Sequence, residues 1–291
     1  MAVAGSDWLC VKALRSNLRI KENSAYGLFA DNYSEGDGHV IQVRGEGIYE
    51  NYDAIKNVTI DSNYIANTSL HGSENITIVG NVKDWQVSGN FIEDIKNIAI
   101  DAIGGEQTSD NYLVDVARYG FIEGNIVVNF EHPIDDGPAS AIYVDGGRYI
   151  LVKENETYNT PMGFAVGAEE CATAKHVTIT NNEAHGSYWA FGDIFAGAFY
   201  DDNGYAGYDK SINPYNTYPC NEPTINGKGY VEHITITGNY FPTPFNINGN
   251  IGYIRLTHAS IDSNIGYPQV NHVNTQGYAP TGTNENAIKY P

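Results

Sequence analysis

The chain alternates apolar and polar positions in short bursts, and one burst returns eight times with an asparagine at its end. It reads LRIKEN, VTIDSN, WQVSGN, GFIEGN, ILVKEN, VTITNN, ITITGN and ASIDSN, closing at Asn23, Asn63, Asn90, Asn125, Asn155, Asn182, Asn239 and Asn264. Period-2 alternation predicts short half-buried strands, and one phrase recurring with a fixed ending predicts the coils of a solenoid. Asn tolerates left-handed backbone and its amide can bond the Asn of the next coil, so these residues are expected to form an internal ladder at one corner. The intervals of 27 residues from Asn63 to Asn90 and from Asn155 to Asn182 fit one coil each, whereas the 57 from Asn182 to Asn239 mark an inserted loop. No segment sustains the 3.6-residue period of a helical repeat. The expected fold is all-β: a single-domain right-handed parallel β-helix over 1–291, with a solenoid core at about 16–265 and a polar tail at 266–291.

A second strand class predicts another wall: HVIQVRGEG at 39–47, NIAIDAIGG at 97–105, SAIYVDGG at 140–147 and GFAVGAEE at 163–170. Placing Ile142 and Val144 inward turns Tyr143 and Asp145 outward. Placing Ile98 and Ile100 inward does the same for Asp101. In that register Arg44, Asp101 and Asp145 share a column, with Glu169 two residues beyond in the next coil. Coils stack about 4.8 Å apart, so Asp101, Asp145 and Glu169 are expected to converge on a divalent cation, Ca²⁺ first and Mg²⁺ or Mn²⁺ after it. Glycines at 104–105, 146–147, 163 and 167 leave room beside these acids, although turn glycines read the same way. Surface acids with no ion are the bland alternative.

Composition narrows the partners. Lys and Arg number 16 against 35 Asp and Glu, a formal charge of -19, which disfavours nucleic acid and anionic membranes. The absence of a long apolar run predicts no membrane span, and a monomer is expected. The insertion at about 186–219 carries six tyrosines together with Trp189 and Phe199. Rings such as Tyr188 and Trp189 suit stacking on sugars, and a self-packed cover is the alternative. Cys171 and Cys220 flank this loop and are positioned in sequence to clip it, with Cys10 left odd; three free thiols fit equally well. Arg118 and Arg148 each precede an Asn-closed strand and could neutralise an anionic substrate or pair with nearby acids, the more common fate, while Arg44 is a further substrate candidate; His132 lies in the loop EHPIDDGPAS, a candidate rim or an ordinary polar turn.

The Asn-closed phrases together with NIAIDAIGG, AIYVDGGRYILVKEN and MGFAVGAEE resemble the pectate-lyase-like superfamily of right-handed parallel β-helix proteins. The resemblance covers roughly 16–265 and implies a polysaccharide partner and a secreted or extracellular location. Neither the NTD, GHG and late RIK pattern of polygalacturonases nor the DPHD signature of mannuronan epimerases is present. What the resemblance then implies is a polyuronate lyase on an alginate- or pectate-like chain. Such an enzyme removes a proton beside a neutralised carboxylate and protonates the departing oxygen. Tyr143 or a neighbouring Lys or Arg is the expected base, Arg148 the charge partner of the substrate, and Lys153 and His132 stand in reserve. A glycoside hydrolase using paired outward carboxylates is the first alternative. A non-catalytic binding solenoid displaying Thr178, Thr180, Thr235 and Thr237 is the second.

Overall fold

The computed structural model describes residues 9–12, 17–29, 38–49, 53–70, 73–106, 108–109, 111–131, 139–168, 172–187, 193–197, 231–243, 251–254, 256–266 and 270–272. Their strands pair in parallel and assemble into three sheets, a right-handed parallel β-helix. The second sheet holds the predicted Asn-closed phrases, among them Ile55–Asp61, Val82–Ser88, Arg118–Glu123, Arg148–Lys153, Ala174–Thr180 and Val231–Thr237. The first sheet is the other predicted wall, with Ile41–Gly45, Ile100–Ile103, Ile142–Asp145 and Phe164–Gly167. It also takes Ile76–Gly80, Ile194–Gly197 and Ile251–Ile254. A third sheet, which the pattern did not predict, follows each ladder asparagine and includes Tyr64–Ser69, Phe91–Lys96, Ile126–Glu131 and Glu156–Tyr158. Ile194–Gly197 lies inside the span assigned from sequence to the Tyr-rich insertion, so the two neighbouring coils are joined through 198–230 instead.

The core follows from the alternation. Ile60, Val87, Ile122, Val152, Ile179, Ile236 and Ile261 form one inward column of the second sheet, each at most 1% exposed. The ladder is formed as expected. Each asparagine amide from Asn23 to Asn239 donates to Oδ1 of the next asparagine at 2.8–3.0 Å. The same oxygen also accepts the preceding ladder residue's backbone N–H at 2.9–3.1 Å.

The left-handed turn, however, belongs to the residue before each asparagine. Glu22, Ser62, Gly89, Gly124, Glu154, Asn181, Gly238 and Ser263 have φ between 53° and 67°. The corner thus divides two tasks, with backbone reversal on one residue and amide stacking on the next. Trp85 occupies an inward position, 2% exposed, and its partner in the following coil is Gly120. Any Cβ at Gly120 would run into the indole, so the largest core side chain is matched to the smallest residue beside it.

Candidate functional site

The register of the first sheet corrects the predicted acid column. Ile100, not Ile98, pairs with Ile142, so Asp101 stands opposite Tyr143, while Asp145 stands opposite Gly167. Asp101 and Asp145 are therefore two positions out of line, and both are buried, 2% and 5% exposed. Arg44, which the sequence reading also put in line with Asp101, aligns with Val79 and Ile103, one alternate position away from Asp101. Tyr143 is 4% exposed, belongs to the buried apolar cluster, and its ring covers Gly167. This wall is covered, and Tyr143 does not meet solvent as a base must. Glu169, His132, Tyr188, Trp189, Cys171 and Cys220 lie outside the described residues.

The remaining predicted cations are committed to the scaffold or to acids. Arg118 is buried and donates to the carbonyls of Val114 and Val116 and to Asn81 Oδ1, at 3.3, 3.0 and 2.9 Å. It fastens the 104–117 connection to the coil, which corrects its assignment to substrate. Arg148 Nε donates to the Thr173 carbonyl at 3.1 Å. Lys153 Nζ sits 3.0 Å from Glu123 and 3.7 Å from Glu154, and the hydrogen bond and charge of Glu123 push its pKa up. A lysine held protonated cannot abstract a proton at neutral pH. Arg44 pairs with Glu46 at 3.3 Å.

The outer face of the second sheet carries a feature the sequence reading missed. In every coil the residue six before the ladder asparagine has left-handed backbone: Asn17, Asn57, Asp84, Tyr119, Tyr149, His176, His233 and His258, with φ of 50–63°. These residues drop out of the strand pairing, which passes from Lys83–Arg118 straight to Trp85–Gly120 and likewise in the coils beyond. Their side chains stack on the outside. Asn57 donates to Asn17 at 3.1 Å, and the rings of Tyr119, Tyr149, His176, His233 and His258 follow one another at 5.0, 4.7, 4.8 and 4.8 Å.

Left-handed backbone costs a bulky residue about 1–2 kcal/mol, a cost Gly escapes and Asn and Asp reduce. Tyrosine at two such positions bears that cost and puts its ring into the outer stack. Tyr119 and Tyr149 are each 44% exposed and Phe121 46%, and together they line a shallow groove of about 690 Å³. Arg19, Asn57, Asp84, Gln86, His176 and Thr178 also line it. Partial burial, then the proximity of His233 and Lys175, lowers the pKa of His176.

One position earlier, seven before each ladder asparagine, the column reads Lys56, Lys83, Arg118, Arg148, Lys175 and then Glu232. The change of sign falls where the ring column has become histidine. Glu232, His233 and His258 each bring one donor atom to within 4.8 Å of the other two, and Lys175 Nζ lies 4.0 Å from Glu232. On the third sheet, Tyr158 stacks on His185 at 4.2 Å and donates to Glu156 at 2.5 Å, which pushes the phenol up to about 12 and removes it as a base near neutrality.

Residues 30–245 match the family described as periplasmic copper-binding protein (NosD), and the chain belongs to that family. A curated relative, the uncharacterized protein YwoF of Bacillus subtilis (strain 168), is 32% identical over 132 residues, which is 43% of this chain and 28% of that protein. Among solved structures, an alginate lyase from Paenibacillus sp. str. FPU-7 aligns over 93% of this chain and 91% of its own, with a TM-score of 0.44 and 12% identity. A family 28 exopolygalacturonase of Yersinia enterocolitica aligns over 89% and 48% at a TM-score of 0.46 and 13% identity. The tailspike protein of E. coli bacteriophage HK620, in complex with pentasaccharide, aligns over 89% and 46% at 0.44 and 12%. This chain thus spans about half the length of the last two proteins. Among the described residues no helix is long and apolar enough to cross a membrane.

Proposed function

We propose that this protein takes a polysaccharide along the outer face of the second sheet and that the polymer is a polyuronate cleaved there by β-elimination. The observation that carries the reading is the pair Tyr119 and Tyr149, stacked, half exposed and held in costly left-handed backbone at the floor of the groove. Flat rings with an apolar face and a hydroxyl suit the faces of successive sugars. Phe121 extends the platform, and Arg19 offers a guanidinium to a uronate carboxylate.

Two features favour elimination over hydrolysis. A hydrolase of the ordinary kind needs two carboxyl groups flanking the bond, and among the described residues lining the groove Asp84 is the one carboxylate. Elimination needs a base beside a proton donor, and the imidazole of His176 stacks on the phenol of Tyr149 in the groove wall. In the proposed step His176 takes the C5 proton, the C5 electron pair becomes the C4–C5 double bond, and the departing glycosidic oxygen receives the Tyr149 proton. A substrate of this kind places the protein outside the cytoplasm.

The test is ultraviolet absorbance of the unsaturated uronate during incubation with alginate, pectate and glycosaminoglycans, with and without EDTA, for the wild type, Tyr149→Phe and His176→Ala. A rise lost in both variants is expected, and the EDTA arm reads whether a divalent ion neutralises the carboxylate. New reducing ends without absorbance overturn elimination. Retention of the polymer on an affinity gel with no cleavage leaves a binding solenoid, and no retention on any polymer overturns the groove as a saccharide site.

A further inference from the structure

We infer that Glu232, His233 and His258 form a binding site for a divalent transition-metal ion of the Cu²⁺ or Zn²⁺ type, on the last coils of the second sheet. The inference rests on this cluster and not on the saccharide groove, whose aromatic platform lies on earlier coils.

Three independent features converge there. One donor atom from each residue already lies within 4.8 Å of the other two, and all three side chains reach solvent, so an ion can enter without opening the core. Two imidazoles and a carboxylate are donors that suit copper and zinc, whereas Ca²⁺ and Mg²⁺ prefer oxygen alone. Finally, two columns change chemistry in successive coils, the rings at His176 beside Lys175 and the charges one coil later at Glu232. The ring column passes from tyrosine to histidine, and the neighbouring column, cationic through five coils from Lys56 to Lys175, becomes Glu232 beside His233.

A stacking ladder alone would be served by tyrosine, as it is at Tyr119 and Tyr149, and would gain nothing from replacing a cation with a carboxylate. A metal site gains from both changes, because it needs neutral nitrogen ligands and a negative charge in place of a positive one. His233 and His258 stack at 4.8 Å with 23° between their planes, and Glu232 faces Lys175. Binding exchanges the stack and the weak ion pair for coordination. The family description implies copper, and these residues fit such an ion; bound there, it would supply a Lewis-acidic charge at one end of the groove face.

Isothermal titration of the full chain with CuCl₂ and, separately, ZnCl₂ tests the site. One saturable ion per chain is expected, with copper the tighter. His233→Ala and His258→Ala should each weaken binding by at least about tenfold, a scale that even outer-shell partners reach. Glu232→Gln should weaken it less, and His185→Ala, on the third sheet, should leave it unchanged. Nitrogen hyperfine splitting in the Cu²⁺ electron paramagnetic resonance spectrum should show two imidazoles, falling to one in either histidine variant. Circular dichroism of each variant establishes that the solenoid is intact, and polymer retention by His258→Ala keeps the result separate from the saccharide reading. No saturable binding, or equal affinity in the wild type and both histidine variants, overturns the site.

Discussion

At the residue scale the fold depends on a few positions where one side chain dictates another. Trp85 fills the lumen at a position that its neighbouring strands give to Val58 and Gly120, and Gly120 is the residue that lets it do so. Gly120→Ala should therefore destabilise the protein by about 1–3 kcal/mol, the usual cost of overpacking a dense core. Combining it with Trp85→Leu should return part of that loss, since the two sites share one space. Denaturant midpoints for the two single variants and the pair close the cycle, and simple additivity would show that the clash is relieved elsewhere. The left-handed positions belong to this scale too, and they explain what was hard to read. Asn17, Asn57 and Asp84 look like ordinary turn residues, and nothing in a period-2 pattern says that Tyr119, Tyr149 and three histidines share their conformation. The signal that could have revealed them is the constant offset of six from each ladder asparagine.

At the scale of elements, the second sheet and its asparagine ladder were legible because a strict phrase ended in a residue with its own hydrogen-bonding role. The third sheet was not, because strands as short as Glu156–Tyr158 and Glu183–His185 carry too few alternations to register. The acid column failed for a different reason. In NIAIDAIGG, Ile98 with Ile100 and Ile100 with Ala102 both satisfy period-2 alternation, so pattern alone leaves a two-residue ambiguity that the packing of the whole coil resolves in favour of the latter. The ladder itself makes a clear forecast. Asn125 is fully buried, donates to Asn155 and to the Val87 carbonyl, and accepts from Asn90. Asn125→Ala strands those partners and should cost about 2–3 kcal/mol, whereas Asn264→Ala, at the partly buried end of the ladder, should cost less than half as much. Midpoints for both variants equal to that of the wild type would mean that the ladder contributes little to stability.

At the scale of the whole molecule, charge and fold oppose each other, and pH separates them. A formal charge of -19 repels itself across a rod-like surface at pH 7, so added salt should raise the melting temperature there. Acidification relieves the repulsion but meets a second column of the same sheet, two residues before the ladder asparagines. Asp61 accepts from Ser88 at 2.6 Å and Lys21 at 3.0 Å, and Asp262 from Thr237 at 2.7 Å and Ser260 at 3.1 Å. Those hydrogen bonds, Ser88 foremost for Asp61 and Thr237 for Asp262, hold both carboxyls below their ordinary value of 3.8. A carboxyl depressed by folding adds stability that is fully present above its unfolded pKa, about 3.9, and is lost as the pH falls through the folded value. The melting temperature should therefore peak on the acid side of neutrality and drop below about pH 4. Asp61→Asn should flatten that acid limb while changing the salt response at pH 7 little, because it removes one of 35 acids but one of the two carboxyls in this column that folding depresses. An acid limb as steep in Asp61→Asn as in the wild type would place the responsible protons elsewhere in the solenoid.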